Sequence, residues 1–409
     1  MKNPTSQPKK FYYGYIIVIV SFLLTMFGWG IFYIYGVFFR PLEAEFGWSR
    51  AITSGAFSIS VLMSGLAGIL AGRLCDRLGP KAVILFCAVV LSAGYILMSV
   101  VGNAWQFYLI YGVLISTGVG GFWSPPVSTV GRWFTTRRGL MTGIVSGGIS
   151  FGTLVLPPLA TQLIDKFDWR TTYVVIGIAV LIISLIGAMF LKPNPAVDKA
   201  MSVDSKKIQD NLSSRSSGFT LKEALHTRQF WMVCLIYIGF GLVQLSIMVH
   251  IVPFSSGLNI SAISASTILS VIGAVSFAAR IVVGMLTDKV RVKISTVVCL
   301  ALLAVALVLL QFSHQLWQLY IFAALFGFGF GGLSCLQSLI AAELYGVMAL
   351  GVITAIFSFG FDIGGAIGPV MSVYIFDINN SYFWAFNICI IVAIAALVIG
   401  LSLKPPQKR

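Results

Sequence analysis

One arginine in this chain of 409 residues stands where hydrophobic sequence leaves it no ordinary use. Arg280 lies in SFAARIVVGMLTDKVRVK, Ser276 to Lys293, inside an apolar run from about Ile263 to Leu286. A guanidinium stays charged at any accessible pH and presents a planar fork of N–H donors, which matches a carboxylate at two points. At mid-bilayer such a cation costs about 3 kcal/mol on insertion scales and about 10 or more in simulations. Two readings compete. One is a structural arginine, paired to a neighbouring helix or snorkelling to the interface; the other is an anion-binding residue facing a watery cavity. The end of the run is roughly 9 Å of helix away, which strains snorkelling and favours anion binding.

Of the 13 acidic residues only Asp362 falls at the middle of a hydrophobic run; the others lie in loops or at run ends. It is the carboxylate expected at the depth of Arg280. His250 is the second strong polar group, read equally as a hydrogen-bonded wall residue or a substrate contact. Tyr33, Tyr35, Thr117, Trp123 and Val145 offer hydroxyls and apolar wall from the N-terminal part of the chain, without charge. Ser276, one turn before Arg280, and Phe359, just before Asp362, complete the expected lining.

These groups need membrane-spanning elements to position them. Apolar residues make up 58% of the chain, charged residues 10%, and the mean hydropathy is +0.95, values of a polytopic membrane protein. Windows of about 20 apolar residues, enough to cross the hydrocarbon, fall near 13–39, 51–71, 82–101, 106–130, 139–163 and 171–191. A second six fall near 229–254, 263–287, 294–313, 317–341, 349–375 and 381–403. The expected fold is therefore an all-α membrane protein of twelve spans. The lead MKNPTSQPKK precedes a first run too long for a signal peptide. Of the 27 Lys and Arg, all but Arg40, Arg50, Lys166, Arg170 and Arg280 fall on the N-terminal side, which predicts cytoplasmic termini in a multi-pass protein of the inner or plasma membrane. That asymmetry accounts for the net charge of +14 without any nucleic-acid partner. Cys75, Cys87, Cys234, Cys299, Cys335 and Cys389 show no CxxC pairing, and His226, His250 and His314 are scattered. No metal, cofactor or disulfide is expected, and no nucleophile and base pair or phosphate loop suggests an enzyme.

The chain repeats itself. GRLCDRLGPK after span 2 carries Gly72, Asp76, Arg77, Gly79 and Lys81; GMLTDKVRVK after span 8 carries Gly284, Asp288, Lys289, Arg291 and Lys293. A shift of about 211 or 212 also lays Gly120-Gly121 on Gly331-Gly332, Arg132 on Glu343 and Pro158 on Pro369. Two copies of a six-helix unit, residues 1–191 and 229–409, are expected to run parallel around a central cavity. Residues 192–228 form a polar linker, in which Thr220-Leu-Lys-Glu223 has the spacing of a capping box and predicts a short surface helix. The glycines of spans 4 and 10 are read as close helix contacts.

The GxxxDRxGxK signature resembles that of the major facilitator superfamily along essentially the whole chain. By that resemblance Gly72, Asp76, Arg77, Asp288 and Arg132 are gating residues, a charged latch on the cytoplasmic face. The span-8 arginine four residues before the GxxxD turn, with GRWF and RRG after span 4 and GYIIV opening span 1, is similar to the monocarboxylate transporter family and its bacterial oxalate/formate-exchanging relatives. The resemblance implies that Arg280 binds a substrate carboxylate. Ser276 stands where animal members carry a proton-shuttling aspartate, and Tyr33 where they carry a lysine, so their coupling scheme does not carry over at those positions. Exchangers carry a lysine where Phe357 occurs here, which points to a monoanion rather than a dianion.

Charge counting then gives a coupling scheme. In an empty cavity Arg280 and ionised Asp362 neutralise each other; an arriving carboxylate brings a second negative charge, and protonating Asp362 resolves the conflict. The expectation is electroneutral symport of one H⁺ with one lactate- or pyruvate-like monocarboxylate, by a monomer whose partners are that anion, the proton and the lipid bilayer. A permanent Arg280–Asp362 salt bridge is the alternative for Asp362. An organic-anion exchanger, or a pump expelling lipophilic cations with Asp362 as the attractant, are the alternatives for the whole chain.

Overall fold

A computed structural model describes residues 12–134, 138–192, 219–287, 290–346 and 349–404. Among them are twelve helices long and apolar enough to cross a membrane: Gly14–Phe46, Arg50–Cys75, Pro80–Met98, Ala104–Val130, Leu140–Lys166 and Trp169–Phe190, then Arg228–Gly257, Ala262–Leu286, Val292–Gln311, Leu316–Tyr345, Val352–Asn379 and Phe383–Ser402. These are spans 1 to 12 below. An even number of crossings puts Gly14 and Ser402 on one side of the bundle, here called the terminal face.

Capping side chains start several spans. Ser49, Thr227 and Ser261 accept the backbone N–H three residues on, at the heads of spans 2, 7 and 8. Span 1 runs beyond the expected 39 to Phe46, through Pro41. It stops at Gly47, whose φ of +60° ends the helix, so local backbone geometry and not the apolar boundary sets its length. The capping box forms as its spacing suggests: Thr220 and Glu223 exchange both bonds at the head of the Leu221–Leu225 helix.

The segment after span 2 differs from expectation. Its helix continues from Arg50 to Leu78, so Gly72, Asp76 and Arg77 lie on the last helical turns and not in a loop. Nothing in RLCDRL breaks a helix. Gly79 alone makes the turn, at φ +80° with its N–H on the Cys75 carbonyl, and Pro80 opens the next helix. Asp288 lies outside the described residues, as do the side chains of Asp76 and Arg132. Glu343, which the repeat aligns with Arg132, accepts the Val292 N–H at 3.1 Å at the head of span 9.

The repeat is written into the packing. A Cβ on Gly121 would strike the Cys87 sulfur and one on Gly332 the Cys299 sulfur; Gly118 lies on Leu91 as Gly329 lies on Leu303; Gly120 lies on the Ser64 carbonyl as Gly331 lies on that of Ser276. Each pair repeats at 211 or 212 residues. Three seams join the first six spans to the last six. Span 5 meets span 8, where Ser276 donates to Ser150 at 2.7 Å and Phe151 faces Phe277 with ring centroids 6.4 Å apart. Span 2 meets span 11 where Gly65 lies against Asp362, and span 1 meets span 7 where Gly36 lies against the Met248 and Val249 carbonyls. This last contact is in the half of the bundle away from the terminal face.

Candidate functional site

Arg280 sits on span 8 about two turns from its terminal-face end. It is 7% exposed, its Nε has no hydrogen-bond partner, and none of the described acidic side chains is ion-paired with it. The guanidinium lies over the Phe330 ring, 5.6 Å from the centroid, a cation–π contact. It faces a cavity of about 420 Å³ in the terminal half of the bundle. Span 4 contributes Trp123, span 5 Ile144 and Ser146, span 8 Arg280 and Ile281, and span 10 Cys335 and Ser338. A buried, unpaired cation in a cavity walled by apolar groups and hydroxyls is suited to holding an anion.

Asp362 is not ion-paired with Arg280 among the described residues, so the permanent salt bridge given as its alternative does not form in this arrangement. Its carboxylate lies against the Gly65 backbone of span 2, with no hydrogen bond or ion pair among the described residues. Helix depth does not fix the direction of a side chain, and these two point to different neighbours, span 10 for Arg280 and span 2 for Asp362. Tyr33, 7% exposed on span 1, stands within electrostatic range of both charges. Beside it is Gln244 of span 7, fully buried, whose side-chain amide meets the Tyr33 hydroxyl.

Several expected lining residues are held away from the cavity. The Ser276 hydroxyl is taken by Ser150 and by the Gly273 carbonyl, inside the span 5–8 seam. Val145 is fully buried and its carbonyl accepts the Thr25 hydroxyl at 2.7 Å. Thr117 bonds its own helix at Val113, Tyr35 bonds the Thr53 carbonyl, and Phe359 is exposed. Trp123 does line the cavity.

His250 belongs to a different cluster, in the half of the bundle away from the terminal face. Its Nε2 meets the Pro369 carbonyl at 3.0 Å, which places the ring proton there, and its Nδ1 accepts from the Tyr382 hydroxyl at 3.2 Å. That hydroxyl accepts in turn from Arg50 at 3.2 Å, and Arg50 pairs with Glu43 at 3.1 Å while standing 3.9 Å over the Phe376 ring. Burial pushes the Tyr382 phenol up to about 12, against the opposing pull of Arg50, so its proton stays in place to be donated. The chain of bonds joins spans 1 and 2 to spans 7, 11 and 12.

The sequence profile of the Major Facilitator Superfamily matches residues 18–296 and again 251–409. The chain belongs to the Major Facilitator Superfamily. Among curated relatives, monocarboxylate transporter 12 of Rattus norvegicus is 26% identical over 405 residues, covering 92% of this chain and 82% of its own length. Monocarboxylate transporter 7 of Homo sapiens is 23% identical over 451 residues, covering 95% of this chain and 86% of its own. A bacterial relative, the uncharacterised MFS-type transporter YhjX of Escherichia coli strain K12, is 25% identical over 354 residues, with 85% of each chain covered.

As a member of the Major Facilitator Superfamily the protein is a multi-pass membrane transporter and not an enzyme. Phe330, under the guanidinium, and Cys335, in the cavity wall, are neighbours of Arg280 that the sequence alone did not single out.

Proposed function

We propose that this transporter moves a small monocarboxylate together with a proton by alternating access. Arg280 receives the carboxylate and Asp362 carries the proton. The observation that carries the reading is the buried guanidinium facing a cavity with no acidic partner among the described residues. Such a group is stabilised when an anion binds it, and a bidentate carboxylate suits its fork. Among the described residues Asp362 has no ion pair or hydrogen bond, the setting in which taking up a proton removes an unpaired buried charge. A loaded carrier then holds one anion and one proton, and its net charge equals that of the empty one. Residues 1–191 and 229–409 act as the two rocking halves of a monomer with cytoplasmic termini, joined by the 192–228 linker, and Gly72, Asp76, Arg77, Asp288 and Arg132 form the latch. The lack of contact between Arg280 and Asp362 also favours a second reading, anion exchange, because an empty carrier would take an isolated cation through its closed state. The test is uptake of radiolabelled lactate, pyruvate, acetate and oxalate into proteoliposomes with and without an inward proton gradient. Symport predicts that monocarboxylates accumulate only with the gradient, while oxalate is left behind. Equal counterflow with no gradient-driven net uptake would replace it with exchange.

A further inference from the structure

His250 has two ring nitrogens, and both are committed. The residue is fully buried on span 7, with Nε2 donating to the Pro369 carbonyl of span 11 and Nδ1 accepting from the Tyr382 hydroxyl. A neutral imidazole fits this pattern and an imidazolium does not, because a proton on Nδ1 would face the hydroxyl proton. The surroundings oppose a second positive charge as well. Arg50 of span 2 holds the same Tyr382 oxygen while paired with Glu43 of span 1, and Asp377, at the far end of span 11, stands within electrostatic range of that pair. The Phe39 ring of span 1 covers another side, its centroid 5.6 Å from that of the imidazole. Asp362 lies on span 11 about two turns nearer the terminal face than Pro369. These contacts cross from the first six spans to the last six, so parting the halves on the side away from the terminal face breaks them and lets water reach the ring.

We infer that His250 is a second proton-binding site, which controls this far seam: the ring is neutral while the seam is closed and takes a proton, from the side away from the terminal face, once it opens. The inference goes beyond the transport reading and holds whichever anion Arg280 receives. A proton that binds only the open arrangement favours that arrangement by mass action. The closed seam is therefore fully held above the ordinary imidazole value, about 6.5, and loosens as pH falls below it. The gate proton leaves on the side it entered when the seam closes again, so it sets how often the far side opens and leaves the number of protons transported unchanged.

The experiment places spin labels at the exposed positions Ala44 and Ala262, the far ends of spans 1 and 8, in an Asp362→Asn background that removes the proposed carrier from the response. No substrate is added. Between pH 8 and pH 5.5 the ratio of long to short distances should rise about tenfold, as for a group that titrates near 6.5 in one arrangement only. His250→Gln keeps an amide donor for Pro369 and an acceptor for Tyr382 but takes up no proton, so its distances should not respond to pH. His250→Asn makes the same comparison if the Gln variant does not fold. A flat response with His250 in place overturns the inference, and so does a shift toward shorter distances at low pH. A response that survives in a folded Gln or Asn variant overturns it too, and assigns the titration to Glu43 or Asp377.

Discussion

Removing a single oxygen, Tyr382→Phe, should shift the transporter toward an arrangement open away from the terminal face. That oxygen accepts from Arg50 and donates to His250, each at 3.2 Å, and so ties spans 1 and 2 to spans 7, 11 and 12. The phenylalanine ring keeps the contacts with Phe376 and Phe386, at centroid distances of 4.5 and 5.6 Å, so the change is confined to hydrogen bonding. A bond to a charged donor contributes about 1.5–3 kcal/mol and a neutral one about 0.5–1.5. Arg50 keeps Glu43 and its place over Phe376 in the variant, which favours the lower end of the sum, about 2 kcal/mol. At 1.4 kcal/mol per factor of ten that is roughly a 30-fold shift in the ratio of the two arrangements. His250 adds to the effect, because its Nδ1 is left buried without a donor. Spin labels at the exposed positions Ala44 and Ala262, the far ends of spans 1 and 8, would report the opening as a longer-distance population. An unchanged distance distribution in a folded variant would refute the reasoning, since the bonds would then exist equally in both arrangements or not hold the seam at all.

Arg280→Lys should lose most uptake while the protein still inserts and folds, because an ammonium cannot reproduce the two-point contact of a guanidinium; normal uptake by a well-expressed Lys variant would remove Arg280 from the site. Asp362→Asn should keep exchange of internal for external substrate and lose gradient-driven accumulation, since no group then changes charge with the cycle. In the unmodified protein one pH unit, about 1.36 kcal/mol per proton, should support up to tenfold accumulation, and an Asn variant that still concentrates substrate would move the proton site elsewhere. Gly364→Ala drives a Cβ into the Ile238 carbonyl of span 7 and should cost about 1–3 kcal/mol through overpacking. A thermal unfolding midpoint equal to that of the unmodified protein would contradict the close approach of spans 7 and 11.

Sequence by itself determined the number and approximate limits of the spans, the glycine spacings that repeat at 211 or 212 residues, and the singular standing of Arg280 and Asp362. Each of these is a contrast against an apolar background, and an intramembrane charge is the sharpest contrast a sequence can carry. The short helix headed by Thr220 was legible for a related reason, since a capping box is a contact between residues three apart. Which groups meet was decided by tertiary structure alone. A helix turns by about 100° per residue, so knowing that Arg280 and Asp362 lie at similar depth leaves their directions open, and they face different neighbours. His250 and Ser276 looked like cavity residues until the fold supplied Tyr382, Pro369 and Ser150 as their partners, drawn from other spans. Gln244, Cys335 and Phe330 are neutral, and neutral residues in a span acquire meaning only from what stands across from them. That pairing depends on the azimuth and tilt of several helices at once, which no spacing along one chain segment encodes.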